Sequence, residues 1–364
     1  MKKRKLNTKR IIIFFFIIIA IIICTISLLR KNSNTTNLSN ITNTSNTENN
    51  ESIKEHEAQP SIVDSLTQEE IEISEIMVRE ENNSEDNANS NEDVINYYPQ
   101  ILPNGDGEIL YNESTDTLKV IVEFNERSSG IDYYTTYIWV KDAYKQFKSQ
   151  VPENYGKERL LPKKLIENAV KDNNLENKLV VGINASGYEA SGSYVNTPAM
   201  PLVISNGKVI RNDTASSSVN FKYNTYGMTK DGLLKYYPYS GNDPVAVAQN
   251  IFDDGVQNTF AWFYRLVVDG KPSYKSSTRT VLQGICQIDK NNFVFVTDIY
   301  ESSRLGFTYT ELGEYMVSLG CQTGYNLDGG GSVQLVYKPS NGEPIELTKN
   351  PNNRAMPDVI YFHE

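Results

Sequence analysis

Residues 326 to 332, Asn-Leu-Asp-Gly-Gly-Gly-Ser, gather an acid, three glycines and a hydroxyl within seven positions. Asp328 could serve as acid, base or metal ligand. Consecutive backbone N–H groups at Gly329, Gly330 and Gly331 could form an anion-binding nest, with Asn326 and Ser332 beside it. The plainer alternative is a tight connection from a helical segment to a strand. Three glycines cost up to about 1 kcal/mol each relative to alanine on ordering, and a hairpin turn needs only one or two. Either the backbone bends as only glycine can, or something approaches it very closely. The Gly-Lys-Ser/Thr of a P-loop is absent. Ser332 has no histidine to activate it, so the motif is not a nucleophile elbow.

Other chemistry-bearing residues sit at the starts and ends of apolar runs. Arg279 and Thr280 open a strand-like segment, and an arginine fork suits a phosphate or a carboxylate, or simply a surface ion pair. Asn184, in "INASGYE", and Asp298, closing "FVFVTD", each end an apolar run. The 23 tyrosines can stack on sugar faces or belong to core and sheet. Of two histidines, His56 precedes the apolar-rich part and His363 is the penultimate residue. That argues against Ser-His-Asp and Cys-His nucleophiles and against His-ligated zinc. Chemistry must then come from carboxylates, Arg, Lys, Tyr, amides, hydroxyls, backbone N–H groups or a hard metal ion. No cofactor is required, and a divalent cation near Asp328 and Asp298 is the one such group these residues could hold.

Positioning these groups takes a sheet. "TDTLKVIVEFNE" (115–126) alternates as a strand does, and "IDYYTTYIWV" (131–140) is rich in aromatic and β-branched residues. "PKKLIENAVKDNN" (162–174) has apolar residues at helical spacing behind Pro162. Asn206-Gly207 predicts a hairpin between "PLVI" and "KVI". "TYTELGEYMVSLG" predicts a helix capped by Thr308 or Thr310 and stopped by Gly320. Residues 212–258 give turns and one short helix. "TFAWFYRLVVDGKP" and "TRTVLQGICQIDKNNFVFVTDIY" give three strands, and "SVQLVYK" and "PDVIYF" close the chain. The expected class is α+β: one sheet-dominated domain of about ten strands and two or three helices.

The chain has 364 residues and a formal charge of −10. Residues 1–10 carry six positive charges, and residues 11–29 carry none. Nineteen residues span about 29 Å as a helix, enough for a bilayer core. This predicts a single signal anchor with its basic flank in the cytoplasm and the remainder outside. Residues 32–93 hold fifteen acids against two bases. A polar, self-repelling stretch like 30–93 predicts a disordered linker, leaving 94–364 as the folded domain. Cys24 falls in the apolar segment; Cys286 and Cys321 are either a disulfide or two buried thiols. An acidic domain outside a membrane argues against nucleic-acid partners.

In order, the chain shows "INASGY", a hairpin, an Arg-Thr strand, a strand ending in Asp, a helix start, "YNLDGGGS" and a late arginine in "NRAMPDVIYF". This set, from about Tyr133 to Phe362, resembles the phosphodiester glycosidase family. That family usually has Asn-Gly-Gly-aromatic where this chain has "NASGYE", and Asp-Gly-Arg where it has "DIY", with Arg304 nearby. The resemblance implies a site of Asn184, Arg279, Thr280, Asp298, Asn326, Asp328, Gly329, Gly330, Gly331, Ser332 and Arg354. Catalytic roles fall to Asp328, Asp298 and Arg279, with Arg279 and the glycine N–H groups on a phosphate. It implies hydrolysis of a sugar-1-phosphodiester, with a sugar-phosphate glycan as substrate in wall or exopolysaccharide material and N-acetylglucosamine one candidate sugar. The alternatives are an anionic-glycan-binding module without turnover and an enzyme that cuts the P–O bond.

Overall fold

The computed structural model describes residues 107–364 apart from 128–129, 131, 190–194, 217–223, 263, 300–305 and 351–352. The expected membrane anchor (11–29), the acidic linker (30–93) and Arg304 lie outside these residues. Among the described residues, no helix is long and apolar enough to cross a membrane.

In chain order the elements begin with β1 (Glu108–Ser114), β2 (Leu118–Asn125), β3 (Tyr133–Val140), α1 (Ala143–Gln146), β4 (Phe147–Gln150), α2 (Pro162–Asp172) and β5 (Val180–Asn184). Next come β6 (Leu202–Ser205), β7 (Lys208–Asn212), β8 (Asn224–Met228), β9 (Leu234–Tyr237), α3 (Pro244–Asp253), β10 (Thr259–Trp262), β11 (Arg265–Val268) and β12 (Lys271–Pro272). The last are β13 (Gln283–Gln287), β14 (Asn292–Asp298), α4 (Tyr309–Ser318), β15 (Thr323–Asn326), β16 (Leu335–Lys338), β17 (Ile345–Glu346) and β18 (Val359–His363). The class is α+β with sheet dominating, as expected. The strand count is not: eighteen strands and four helices occur among the described residues, against about ten and two or three. The surplus strands are short. β8 and β9 fall in the stretch expected to be mostly turns, and β12 and β17 have two residues each, too few to show alternation.

Two antiparallel sheets organise the domain. One has eight strands in the order β1-β2-β3-β14-β13-β15-β11-β12, and the other has five, β17-β16-β5-β18-β4. Inner strands such as β2, β14 and β5 are buried on both faces and read as near-continuous apolar runs, whereas β1, β12 and β17 at the edges are largely exposed. Alternation assigns each side chain to a layer. Phe293 and Phe295 of β14 meet Val181 and Ile183 of β5, and Ile360 and Phe362 of β18, in the core between the sheets. Val294 and Val296 face outward against Leu312 and Met316 of α4. On the far side, Leu165, Ile166 and Ala169 of α2 cover Val180, Val336, Val359 and Tyr361. The layers are therefore helix, sheet, sheet, helix. β6, β9 and α3 pack their own cluster at the side around Leu202, Ile204, Tyr237, Val247 and Ile251. Asn206 and Gly207 turn the predicted hairpin at φ 50° and 75°.

Helix α4 is fastened at both ends. Thr308 Oγ1 accepts from the Glu311 N–H at 3.0 Å, and Glu311 Oε2 accepts from the Thr308 N–H at 2.9 Å, a reciprocal capping box. At the other end Cys286 and Cys321 form a disulfide across a Cα separation of 5.8 Å, which settles the choice between bridge and free thiols. We expect Thr308→Ala to lower stability by about 1 kcal/mol, read as a lower urea midpoint with an unchanged slope.

Candidate active site

Residues 327–334 are the crossover between the two large sheets. They leave β15 of the eight-stranded sheet and enter β16 of the five-stranded one. The Leu327 N–H donates to Gln283 O at 2.8 Å, the Asp328 N–H to Ala185 O at 3.1 Å and the Gly330 N–H to Val281 O at 2.8 Å. Asn184, fully buried, clasps both ends of this loop. Its Nδ2 donates to Asp328 O at 2.8 Å, and its Oδ1 accepts from the Gln334 N–H at 2.9 Å.

Close approach accounts for the glycines. A Cβ on Gly329 would sit 2.5 Å from Val281 O. Gly330 has φ 64°, and a Cβ there would meet Arg354 Nη2 at 3.3 Å. One of the three glycine N–H groups, that of Gly330, is engaged within the protein on Val281 O. The motif is thus a tight connection that presents Asp328, rather than a nest of three open N–H groups.

Asp328 is 8% exposed. Ser332 Oγ donates to its Oδ2 at 2.8 Å. Burial pushes its carboxyl up to about 6, against the lowering effects of Ser332, Arg354, the Gly329 N–H and Arg159. A second carboxyl lies in range. Asp358, just before β18, accepts from the Ser186 N–H at 2.7 Å and from Ser186 Oγ at 2.6 Å. Burial pushes it up to about 7, and the charge of Asp328 acts in the same direction. The sequence reading places "PDVIYF" as a closing strand and gives Asp358 no role. An acid among residues otherwise buried on both sheet faces was the available signal.

Asp298, expected as the second carboxylate at the reacting carbon, is 0% exposed. Its Oδ2 accepts from the Leu282 N–H at 2.8 Å and the Phe307 N–H at 3.1 Å, while Oδ1 has no partner. Burial pushes it up to about 7. It braces segment 280–282 against the loop before α4, and the same segment takes the Gly330 N–H on Val281 O. The Arg279 fork, expected on a phosphate, closes instead on both Glu311 carboxylate oxygens, and its Nη1 also donates to Gly306 O at 3.1 Å. Thr280 joins the same brace through its N–H on Phe307 O at 3.3 Å. The structure therefore brings Asn184, Asp328, Gly329, Gly330, Ser332 and Arg354 together, and sets Arg279, Thr280 and Asp298 in an adjoining brace.

Asn326 belongs to a third group. Its Oδ1 accepts from the Tyr264 N–H at 3.2 Å. Tyr264 stacks on Tyr274 with centroids 3.9 Å apart, and Tyr309 meets both edge-on. Burial raises the Tyr309 hydroxyl, and the Asp328 charge adds to that shift. Half-buried tyrosines therefore flank the carboxyl. Among the described residues, no three His, Cys, Asp or Glu side chains gather as a metal site would require.

Two outcomes follow. Gly329→Ala forces the loop off Val281 O, so we expect a lower melting temperature. Asp328, Asp298 and Asp358 each keep a proton in the fold at a pH where the unfolded chain, with carboxyls near 4, has released it. The folded state then binds more protons between about pH 4 and 7, so the stability these groups contribute falls as pH rises through that window. Asp358→Asn removes one of the three. Its urea midpoint should gain on wild type between about pH 5 and pH 8.

A family model described as phosphodiester glycosidase matches residues 177–363, half of the chain. The SPbeta prophage-derived uncharacterized protein YomE of Bacillus subtilis (strain 168) is 29% identical over 189 residues, covering 50% of this chain. The chain spans only 27% of that relative's length. Among solved structures, the zebrafish N-acetylglucosamine-1-phosphodiester alpha-N-acetylglucosaminidase catalytic domain, auto-inhibited by its pro-peptide, aligns with a TM-score of 0.49 at 15% identity, over 71% of this chain and 87% of that one. A hypothetical protein from Synechocystis aligns with a TM-score of 0.44 at 13% identity, over 69% of this chain and 63% of that one.

Proposed function

This chain belongs to the phosphodiester glycosidase family, and on that premise we propose that it hydrolyses a sugar-1-phosphodiester in wall or exopolysaccharide material. It would do so outside the cell, held to the membrane by residues 11–29. The sugar class includes N-acetylglucosamine. One observation carries the reading. Asp328, on the family's Asp-Gly-Gly-Gly-Ser motif, is a nearly buried carboxyl with one oxygen held by Ser332 and a guanidinium, Arg354, beside its loop.

The chemistry suits this inventory. Breaking the C1–O bond sends its electron pair to a phosphate oxygen, and the phosphate monoester that leaves is already stable. Little acid assistance is needed, which fits a domain whose one described histidine, His363, lies at the far end of β18. What is needed is a carboxylate against the positive charge developing at the sugar carbon, and cations against the departing phosphate. Ionised Asp328 supplies the first. Water then adds at C1, giving free sugar and phosphate monoester. Arg279, Thr280 and Asp298 act in this reading as the brace behind the loop rather than on the substrate.

The test uses the full-length protein with a panel of sugar-1-phosphodiesters, including UDP-sugars and teichoic-type polymer, with products identified by mass. Free sugar from wild type, with turnover at least about a hundredfold lower for Asp328→Asn, is the expected result. Sugar phosphate would move cleavage to the P–O bond. Binding without turnover would make the chain a glycan-binding module. Because Asp328 must be ionised and its carboxyl stands at about 6, kcat should fall as pH drops below that value.

A further inference from the structure

Two guanidiniums act on Asp328, and one comes from outside the span that the family model matches. Arg159 precedes α2, ahead of residues 177–363. Its neighbour Leu160 forms a two-way bridge with Met356: the Leu160 N–H donates to Met356 O at 3.1 Å, and the Met356 N–H to Leu160 O at 2.7 Å. This clamp lays Arg159 alongside the segment that carries Arg354 and Asp358. The Arg159 guanidinium lies 3.8 Å from the centroid of the Tyr188 ring. Tyr188 follows the loop in which Ser186 holds Asp358. A ring face fixes the plane of a guanidinium but leaves its in-plane N–H groups free to donate.

One of those groups lacks an acceptor. Arg159 Nη1 is buried without a hydrogen-bond partner. Leaving a buried donor of a charged group unsatisfied is costly, so an anion that reached Arg159 would relieve that cost. Arg159 and Arg354 both act on Asp328 through space, yet neither makes an ion pair with a described carboxylate. The neighbouring arginines differ: Arg279 and Arg127 are paired with Glu311, and Arg211 with Asp213. Two arginines thus act on Asp328 with no ion-pair partner among the described residues, and one of them, Arg159, has a buried N–H group without an acceptor.

We propose that Arg159 holds the phosphate of the substrate. Its N–H groups and those of Arg354 take the non-bridging oxygens, while Tyr188 keeps the Arg159 fork in plane. This rests on the phosphodiester reading above and assigns the anionic half of the substrate to a residue that precedes the matched family span. Arg159 makes the site choose a charged phosphodiester over a neutral glycoside.

The experiment pairs kinetics with direct binding on the full-length protein. Inorganic phosphate is titrated by calorimetry into wild type, Arg159→Ala and Arg159→Lys, with melting curves confirming the fold. The expected result is phosphate affinity lowered about tenfold or more in Arg159→Ala and partly restored in Arg159→Lys. KM for the phosphodiester should rise in parallel, and KM for a neutral nitrophenyl glycoside of the same sugar should not move. Should Arg159→Ala fail to fold, Arg159→Lys against wild type carries the comparison, since Lys keeps the charge and loses the fork. Wild type that binds no phosphate, or turnover with phosphate affinity and KM unchanged in both variants, would overturn the assignment. Phosphate binding that depends on Arg159 in a protein that cleaves nothing would sustain it while removing the hydrolase reading.

Discussion

The site hangs on the carboxamide of Asn184. This side chain is fully buried, and each end of it holds one end of the same loop, Asp328 O on one side and the Gln334 N–H on the other. β5, which carries Asn184, belongs to the five-stranded sheet, whereas the loop begins in the eight-stranded one. One amide therefore fixes the loop and, through it, the register between two sheets. An aspartate could not replace it: a carboxylate accepts but cannot donate, so Asp328 O would lose its partner in a dry interior. The Asp328 N–H on Ala185 O runs parallel to this clasp. The carboxyl is presented by backbone tied at the Leu327, Asp328 and Gly330 N–H groups and at Asp328 O.

Around that clasp the domain gathers acids in unusual surroundings. Asp328, Asp298 and Asp358 are all buried, and burial raises each. They are held differently. Asp298 takes two backbone N–H groups from separate segments and serves the fold. Asp358 is held by one serine. Asp328 keeps an oxygen beyond the reach of Ser332. The same physical cause, desolvation, thus produces a brace, an electrostatic neighbour and a candidate reacting group. What separates them is which donors reach each carboxyl and which side stays open.

Much of the architecture was legible from periodicity and turn chemistry. The capped helix at 308–318, the Pro-led helix at 162, the Asn-Gly hairpin and the long strands all declare themselves locally. The short strands β8, β9 and β15 do not, because their pairing is decided by distant partners rather than by their own alternation. The candidate site divides along the same line. The glycine loop was visible because three consecutive glycines have few explanations. Arg279 and Asp298 stand out in the sequence by residue type alone, while their contacts depend on Glu311, Leu282 and Phe307, which no spacing rule connects to them. Arg159 and Asp358 were missed because the bridge between Leu160 and Met356 joins them across almost two hundred positions, and a single residue pair leaves no periodic trace.

The strand order has a kinetic consequence. β18 lies inside its sheet, between β5 and β4, and β14 is sewn between β3 and β13. Among the described residues β4 pairs in that sheet with β18 alone, so residues 147–150 wait for residues 359–363. Closing loops of that length costs entropy before any contact rewards it, and proteins dominated by such distant pairings fold slowly. Until β18 arrives, β5, paired on one side with β16, leaves its other edge open along the apolar sequence Val-Val-Gly-Ile-Asn, which is the condition in which chains stick to one another. A chain with this topology therefore needs protection from self-association for the whole time it takes to reach its last strand.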